Sequence, residues 1–157
     1  MNSSVPDILS ERDFEYLQKY ALEHHEALKK VVGPNETNYG VLQLKDTPEL
    51  RMFHEKLLPL ARKMFRNEEL IPTWQCLNIH AGPQTQDQTL PSEDCDYVIS
   101  VTAYQKFGWP QELDGEELEL SENEGLFFTS NQSHKYLSFP DPFNNVVANA
   151  FFFFVQP

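Results

Sequence analysis

Nothing in this chain restricts its fold more than the closing run Val146–Val155, VVANAFFFFV. The run is too short to cross a bilayer as a helix, which needs about 20 residues. Its four consecutive phenylalanines make a strand apolar on both faces, so other parts of the chain must cover both. Asn149 alone breaks the apolar run. It ends a stretch, residues 114–155, in which short strands and turns follow one another in close order. Asp114-Gly115 reads as a tight turn, residues 117–120 alternate acid and leucine, and Asn123-Glu124-Gly125 turns the chain into residues 126–129. A polar loop at 130–133 leads into a segment that begins with His134 and ends at the corner Pro140-Asp141-Pro142.

The covering layers come earlier. Ser10 with Asp13 three residues on has the pattern of a capping box, and Phe14, Leu17, Ala21, His24 and Leu28 recur at helical spacing behind it. Gly33-Pro34 ends that helix. His24 and His25 read as structural or solvated, since adjacent helical residues face different ways. A second helix opens at Thr47-Pro48 and carries the stripe Leu50, Phe53, Leu57, Ala61 and Met64, with His54 at its boundary and a kink or break expected at Pro59. From Ile71 the period changes to two. Trp74, Cys76, Asn78 and His80 face one way, and Gln75, Leu77 and Ile79 the other. Residues 97–105 repeat the pattern, with Tyr97, Ile99, Val101 and Ala103 opposed to Val98, Ser100, Thr102 and Tyr104. Two helices followed by evenly spaced short strands predict an α+β chain: a two-sheet barrel or jelly roll with the helices on one sheet. A length of 157 residues suits a single domain, with helical support over about 8–66 and a β core over about 70–157.

Charge narrows the partners. The formal net charge is −12. Residues 1–66 hold ten acids and ten bases, whereas residues 67–157 hold fourteen acids against Lys106 and Lys135. The acidic half repels phosphate, which argues against nucleic acid. No signal peptide or membrane span is read, so a cytoplasmic protein is expected, with Cys76 and Cys95 as free buried thiols.

The segments WP…DGEELEL…GLFF…SH…VVANAFFFFV and HAGPQTQDQTLPSEDCDYVISV resemble the 2-oxoglutarate/iron(II) oxygenase superfamily, closest to its prolyl-4-hydroxylase-like branch, over about residues 70–157. The resemblance implies a double-stranded β-helix core, with iron and 2-oxoglutarate as cofactors. It aligns His134 with the family's distal metal-binding histidine. The family's facial triad adds a His-x-Asp pair, leaving three iron positions for cosubstrate and oxygen. This chain has no such pair: the two positions fall on or near Thr89 and Pro91, or after a small shift on Gln86 and Gln88. The Arg or Lys that pairs with the cosubstrate carboxylate is also missing, since Asn144-Asn145 stands in its region. Tyr104, Thr102 and Lys106 remain as cofactor-binding candidates. His80 takes the place of an aromatic residue that lines the family's cosubstrate pocket.

Three functional readings follow. The chain is a repurposed or catalytically silent oxygenase fold whose pocket around His134 and His80 binds a small molecule or a protein. Alternatively it is a non-standard enzyme in which His80 and His134 are catalytic, as acid/base groups or with a metal completed by Asp87, Glu93 or Asp94. The third reading is an active oxygenase with unusual ligands.

Overall fold

The structure, a computed structural model, describes residues 4–32, 40–81, 88–89, 95–137 and 145–157. The expected turn at Gly33-Pro34 lies outside the described residues. Helix α1 (Glu11–Val32) begins where Ser10 Oγ accepts from the Asp13 peptide N–H at 3.2 Å. Leu17, Ala21 and His25 form its buried side. His24, placed in the stripe from sequence, instead lies partly exposed with its ring edge against Tyr20 at 4.5 Å. The i, i+4 series from Leu17 lands on His25, which corrects that expectation.

Helix α2 (Pro48–Met64) is capped by Thr47, whose hydroxyl accepts from the Leu50 N–H at 3.3 Å. Leu50, Phe53, Leu57 and Ala61 are buried as expected, while Met64 is 42 % exposed. The helix runs without interruption through Pro59, so of the expected kink or break the break does not occur. Pro59 and Glu55 both lie on the solvent side, where water can satisfy the Glu55 carbonyl that loses its helical donor.

Among the described residues ten strands form two antiparallel sheets. The larger has the order β1 (Ser4–Val5), β8 (Gly125–Thr129), β5 (Tyr97–Gln105), β10 (Val146–Val155), β3 (Ile71–Ala81), β2 (Gly40–Lys45). The smaller has the order β4 (Gln88–Thr89), β9 (His134–Tyr136), β6 (Gln111–Leu113), β7 (Glu116–Leu118). The closing run is therefore an inner strand, and residues 146–154 are all buried. Ala148, Ala150, Phe152 and Phe154 share one core cluster with Leu17, Ala21, Leu50, Phe53 and Leu57 of the helices. Val147, Phe151 and Phe153 join a second cluster with Trp109, Leu113 and Tyr136 of the smaller sheet and its approach. One strand thus supplies two cores. Neither cysteine is in a disulfide among the described residues, and both are buried.

The pairing of β10 with β5 shifts between Ala148, opposite Tyr104, and Asn149, opposite Thr102, leaving Ala103 as an extra residue. This bulge reverses the facing of the strand beyond it. Ala103 and Tyr104 both pack on the helix-side cluster.

Candidate functional site

The site lies between the sheets, and strand alternation builds it from both sides. On β9, His134 and Tyr136 are buried, whereas Lys135 is half-buried and pairs with Glu112 at 3.6 Å. On β6, Gln111 is buried, and its neighbour across the pair is Tyr136. That register brings Gln111 diagonally to His134, whose Nε2 donates to Gln111 Oε1 at 3.0 Å. A neutral imidazole that donates through Nε2 leaves Nδ1 as a bare acceptor. His134 Nδ1 is buried without a hydrogen-bond partner among the described residues.

His134 is caged by aromatic rings. It stacks on Phe128 at 4.9 Å and meets Tyr136 and Phe151 edge-on at 5.8 and 6.0 Å. Burial, with a smaller contribution from His80, pushes its pKa down to about 4. At neutral pH the ring is uncharged. A general base poised near pH 7 requires a higher value.

His80 reaches the same centre from β3. Its ring lies 4.0 Å from that of Tyr136 and 6.0 Å from that of Trp109. The Trp109 indole N–H donates to the Leu137 carbonyl at 3.0 Å, which fixes that wall. The two histidines are therefore brought together, with Tyr136 in contact with both.

A polar row crosses the larger sheet beneath Tyr136. In register it runs Gln43, Asn78, Asn149, Thr102 over β2, β3, β10 and β5. Gln43 Nε2 donates to Asn78 Oδ1 at 2.9 Å, and Asn149 Nδ2 donates to the Tyr136 hydroxyl. Burial raises the Tyr136 pKa, so its phenol stays protonated. Asn149 Oδ1, Thr102 Oγ1 and Ser100 Oγ are buried without hydrogen-bond partners among the described residues. Gln43, Gln111, Tyr136 and Asn149 were not singled out as site residues from sequence. Asn149 carried a readable signal, as the sole polar residue in an apolar run; the others acquire their role only through strand pairing.

The remaining candidates separate. Thr102 belongs to the inner row. Tyr104 does not, because the Ala103 bulge turns it to the helix side. Lys106 is exposed, with its ammonium 5.6 Å from the Phe107 ring centroid. Asn145 stands in the region where the resemblance puts a cation. Its Oδ1 accepts from the Phe107 and Val146 N–H groups at 3.0 and 2.9 Å, and its Nδ2 donates to the Gly108 carbonyl at 3.4 Å. It clamps the connection after β5. Two of the positions aligned with the family's His-x-Asp pair, Gln88 and Thr89, form β4 opposite Tyr136 and Lys135, beside His134. Gln86, Asp87, Pro91, Glu93, Asp94 and Asn144 lie outside the described residues. Among the described residues no three His, Cys, Asp or Glu side chains are grouped to hold a metal, and the buried polar side chains include no Lys, Arg, Asp or Glu.

No protein-family model matches the chain, and no curated protein matches its sequence. Solved structures do match. A Pseudomonas putida prolyl-4-hydroxylase aligns with 99 % of this chain and 92 % of its own, at TM-score 0.64 and 12 % identity. AviO1 from Streptomyces viridochromogenes aligns over 97 % and 90 % at TM-score 0.66 and 9 % identity. The non-heme α-ketoglutarate-dependent carbocyclase SnoK from nogalamycin biosynthesis aligns over 96 % and 78 % at TM-score 0.62 and 12 % identity. The fold is that of the 2-oxoglutarate/iron(II) oxygenases. Within this oxygenase fold, His134 is the residue that the sequence resemblance aligned with the distal metal-binding histidine. Here that residue is held by a glutamine. No helix among the described residues is long and apolar enough to cross a membrane.

Proposed function

We propose that this chain is a binding module on a double-stranded β-helix, with two helices covering one sheet, and that it is silent as a standard 2-oxoglutarate dioxygenase. One observation carries the reading: His134 sits in a cage of Phe128, Tyr136 and Phe151, and the described part of the strand paired with its own supplies Gln88 and Thr89 rather than a second histidine or a carboxylate. Neither Gln88 nor Thr89, the described residues in the neighbouring strand, is of a type that ligates iron well. The residues do not fit 2-oxoglutarate either. A buried dianion needs a cation, and the interior offers none among the described residues. Asn145, standing in the region of that cation, is consumed as a clamp. The barrel interior around His134 and His80 would instead hold a small molecule or a segment of a partner.

The test is an anaerobic titration with iron(II) and 2-oxoglutarate, watching for the visible metal-to-ligand charge-transfer band. The expected result is no band. A band that disappears in His134→Ala would refute the reading and restore an active oxygenase with unusual ligands.

A further inference from the structure

The polar groups left between the sheets limit what can occupy that space. Four buried atoms there lack hydrogen-bond partners among the described residues: His134 Nδ1, Asn149 Oδ1, Thr102 Oγ1 and Ser100 Oγ. Their residues are 0–3 % exposed. They lie close together in the fold. Asn149 is in register with Thr102, Phe151 is in register with Ser100, and the His134 ring lies 6.0 Å from that of Phe151. Two of the four atoms are pure acceptors in the arrangement seen, and the two hydroxyls both donate and accept. The set therefore has a surplus of acceptors. Each unsatisfied buried group costs about 1–3 kcal/mol, so four gathered in one part of the fold call for a partner.

Charge decides the rest. The buried polar side chains described are amides, hydroxyls and histidines, with no carboxylate, ammonium or guanidinium among them. A cation and an anion would both be desolvated there without a counter-charge. We infer that the space between the two sheets is a binding site for a small uncharged molecule rich in hydrogen-bond donors, a polyol or a primary amide, held by Asn149, Thr102, Ser100 and His134. This inference rests on the reading of the chain as a binding module and names the class of its ligand. It reverses the polarity that a dicarboxylate cosubstrate demands.

The experiment combines thermal unfolding with side-chain NMR of the full chain, as wild type and Thr102→Val. Acetamide and erythritol serve as neutral probes, with succinate and ethylamine as charged ones. Valine removes an unpartnered hydroxyl at nearly constant shape, so the unliganded variant is expected to unfold about 2 °C higher. In wild type the neutral probes should saturably shift the His134 ring and Asn149 amide resonances, with binding about tenfold weaker in the variant. The charged probes should leave those resonances in place. A Thr102→Val variant that unfolds at a lower temperature, or a His134 ring shifted by succinate and not by the neutral probes, overturns the inference. So does a wild type that answers to no probe. These outcomes separate from failure of the broader reading, which is detected by iron(II) and 2-oxoglutarate binding together.

Discussion

The two faces of β10 are made from the same ten residues and solve different problems. The helix-side face, Ala148, Ala150, Phe152 and Phe154, meets apolar side chains of both helices. Where a polar side chain intrudes, its polar atoms have hydrogen-bonding groups within reach. His54 is 3 % exposed, yet its ring nitrogens lie 3.0 Å from Gln75 Oε1 and 2.9 Å from the Phe153 carbonyl oxygen. The other end of Gln75 donates to Asp46 Oδ1 at 2.9 Å. The inner face, Val147, Asn149, Phe151 and Phe153, meets the smaller sheet, and polar atoms beside it have no hydrogen-bond partner among the described residues. Burial alone does not distinguish the faces, because the side chains of both are buried. Polar neighbours within reach do. One face is finished as a core, and the other keeps the valences that the proposed site would use.

The largest expected effect tests the finished face. Phe152→Ala removes a fully buried ring and should lower stability by about 3–5 kcal/mol, read from the urea midpoint at constant slope. A loss below about 1 kcal/mol would mean that this face is not close-packed.

The next effect belongs to the inner face and depends on pH. His134 has a folded pKa of about 4 against an ordinary value of 6.5. Between those values the unfolded chain binds the proton and the folded chain does not. The stabilisation is complete above pH 6.5 and is lost as pH falls towards 4, amounting to roughly 3 kcal/mol. His134→Phe should flatten that part of the acid-unfolding profile. Some slope will persist, because burial also lowers the pKa of His54. An unchanged profile would contradict the buried, neutral assignment of His134.

His54→Leu should cost about 2 kcal/mol, by removing the polar neighbour of Gln75 Oε1 inside the helix-side core, while Thr73 Oγ1 still donates to the Phe153 carbonyl. Guanidinium unfolding reads this directly, and a neutral effect would erase the contrast between the two faces. The smallest effect is expected at Lys106, which is exposed. Lys106→Ala should stay within about 0.5 kcal/mol of wild type and leave neutral-probe binding unchanged. Lost binding there would return a cation to the site.

Much of this arrangement was readable in the residues. Alternation in β3 and β5, the caps Ser10 and Thr47, and the apolar closing strand all follow from local rules. The misreadings have physical causes. Tyr104 shares parity with Thr102 in sequence, but a bulge set by cross-strand register separates them. His54 reads as a boundary residue, because the carbonyl it reaches lies 99 positions away on β10. Gln111 and Tyr136 join the site only through the pairing of β6 with β9, which no local pattern encodes. His134 and His80 were legible through the family resemblance, which aligns one with a metal-binding histidine and the other with an aromatic that lines the pocket, whereas the amide and hydroxyl positions look ordinary until register aligns them.

The protonation state of one ring tests the account most directly. A two-bond ¹H–¹⁵N spectrum of the histidines at neutral pH should show His134 as the neutral Nε2–H tautomer. That signature should be unchanged by anaerobic iron(II) with 2-oxoglutarate. Paramagnetic loss of the His134 signals on adding iron would contradict the account, because it would show that a metal binds beside His134.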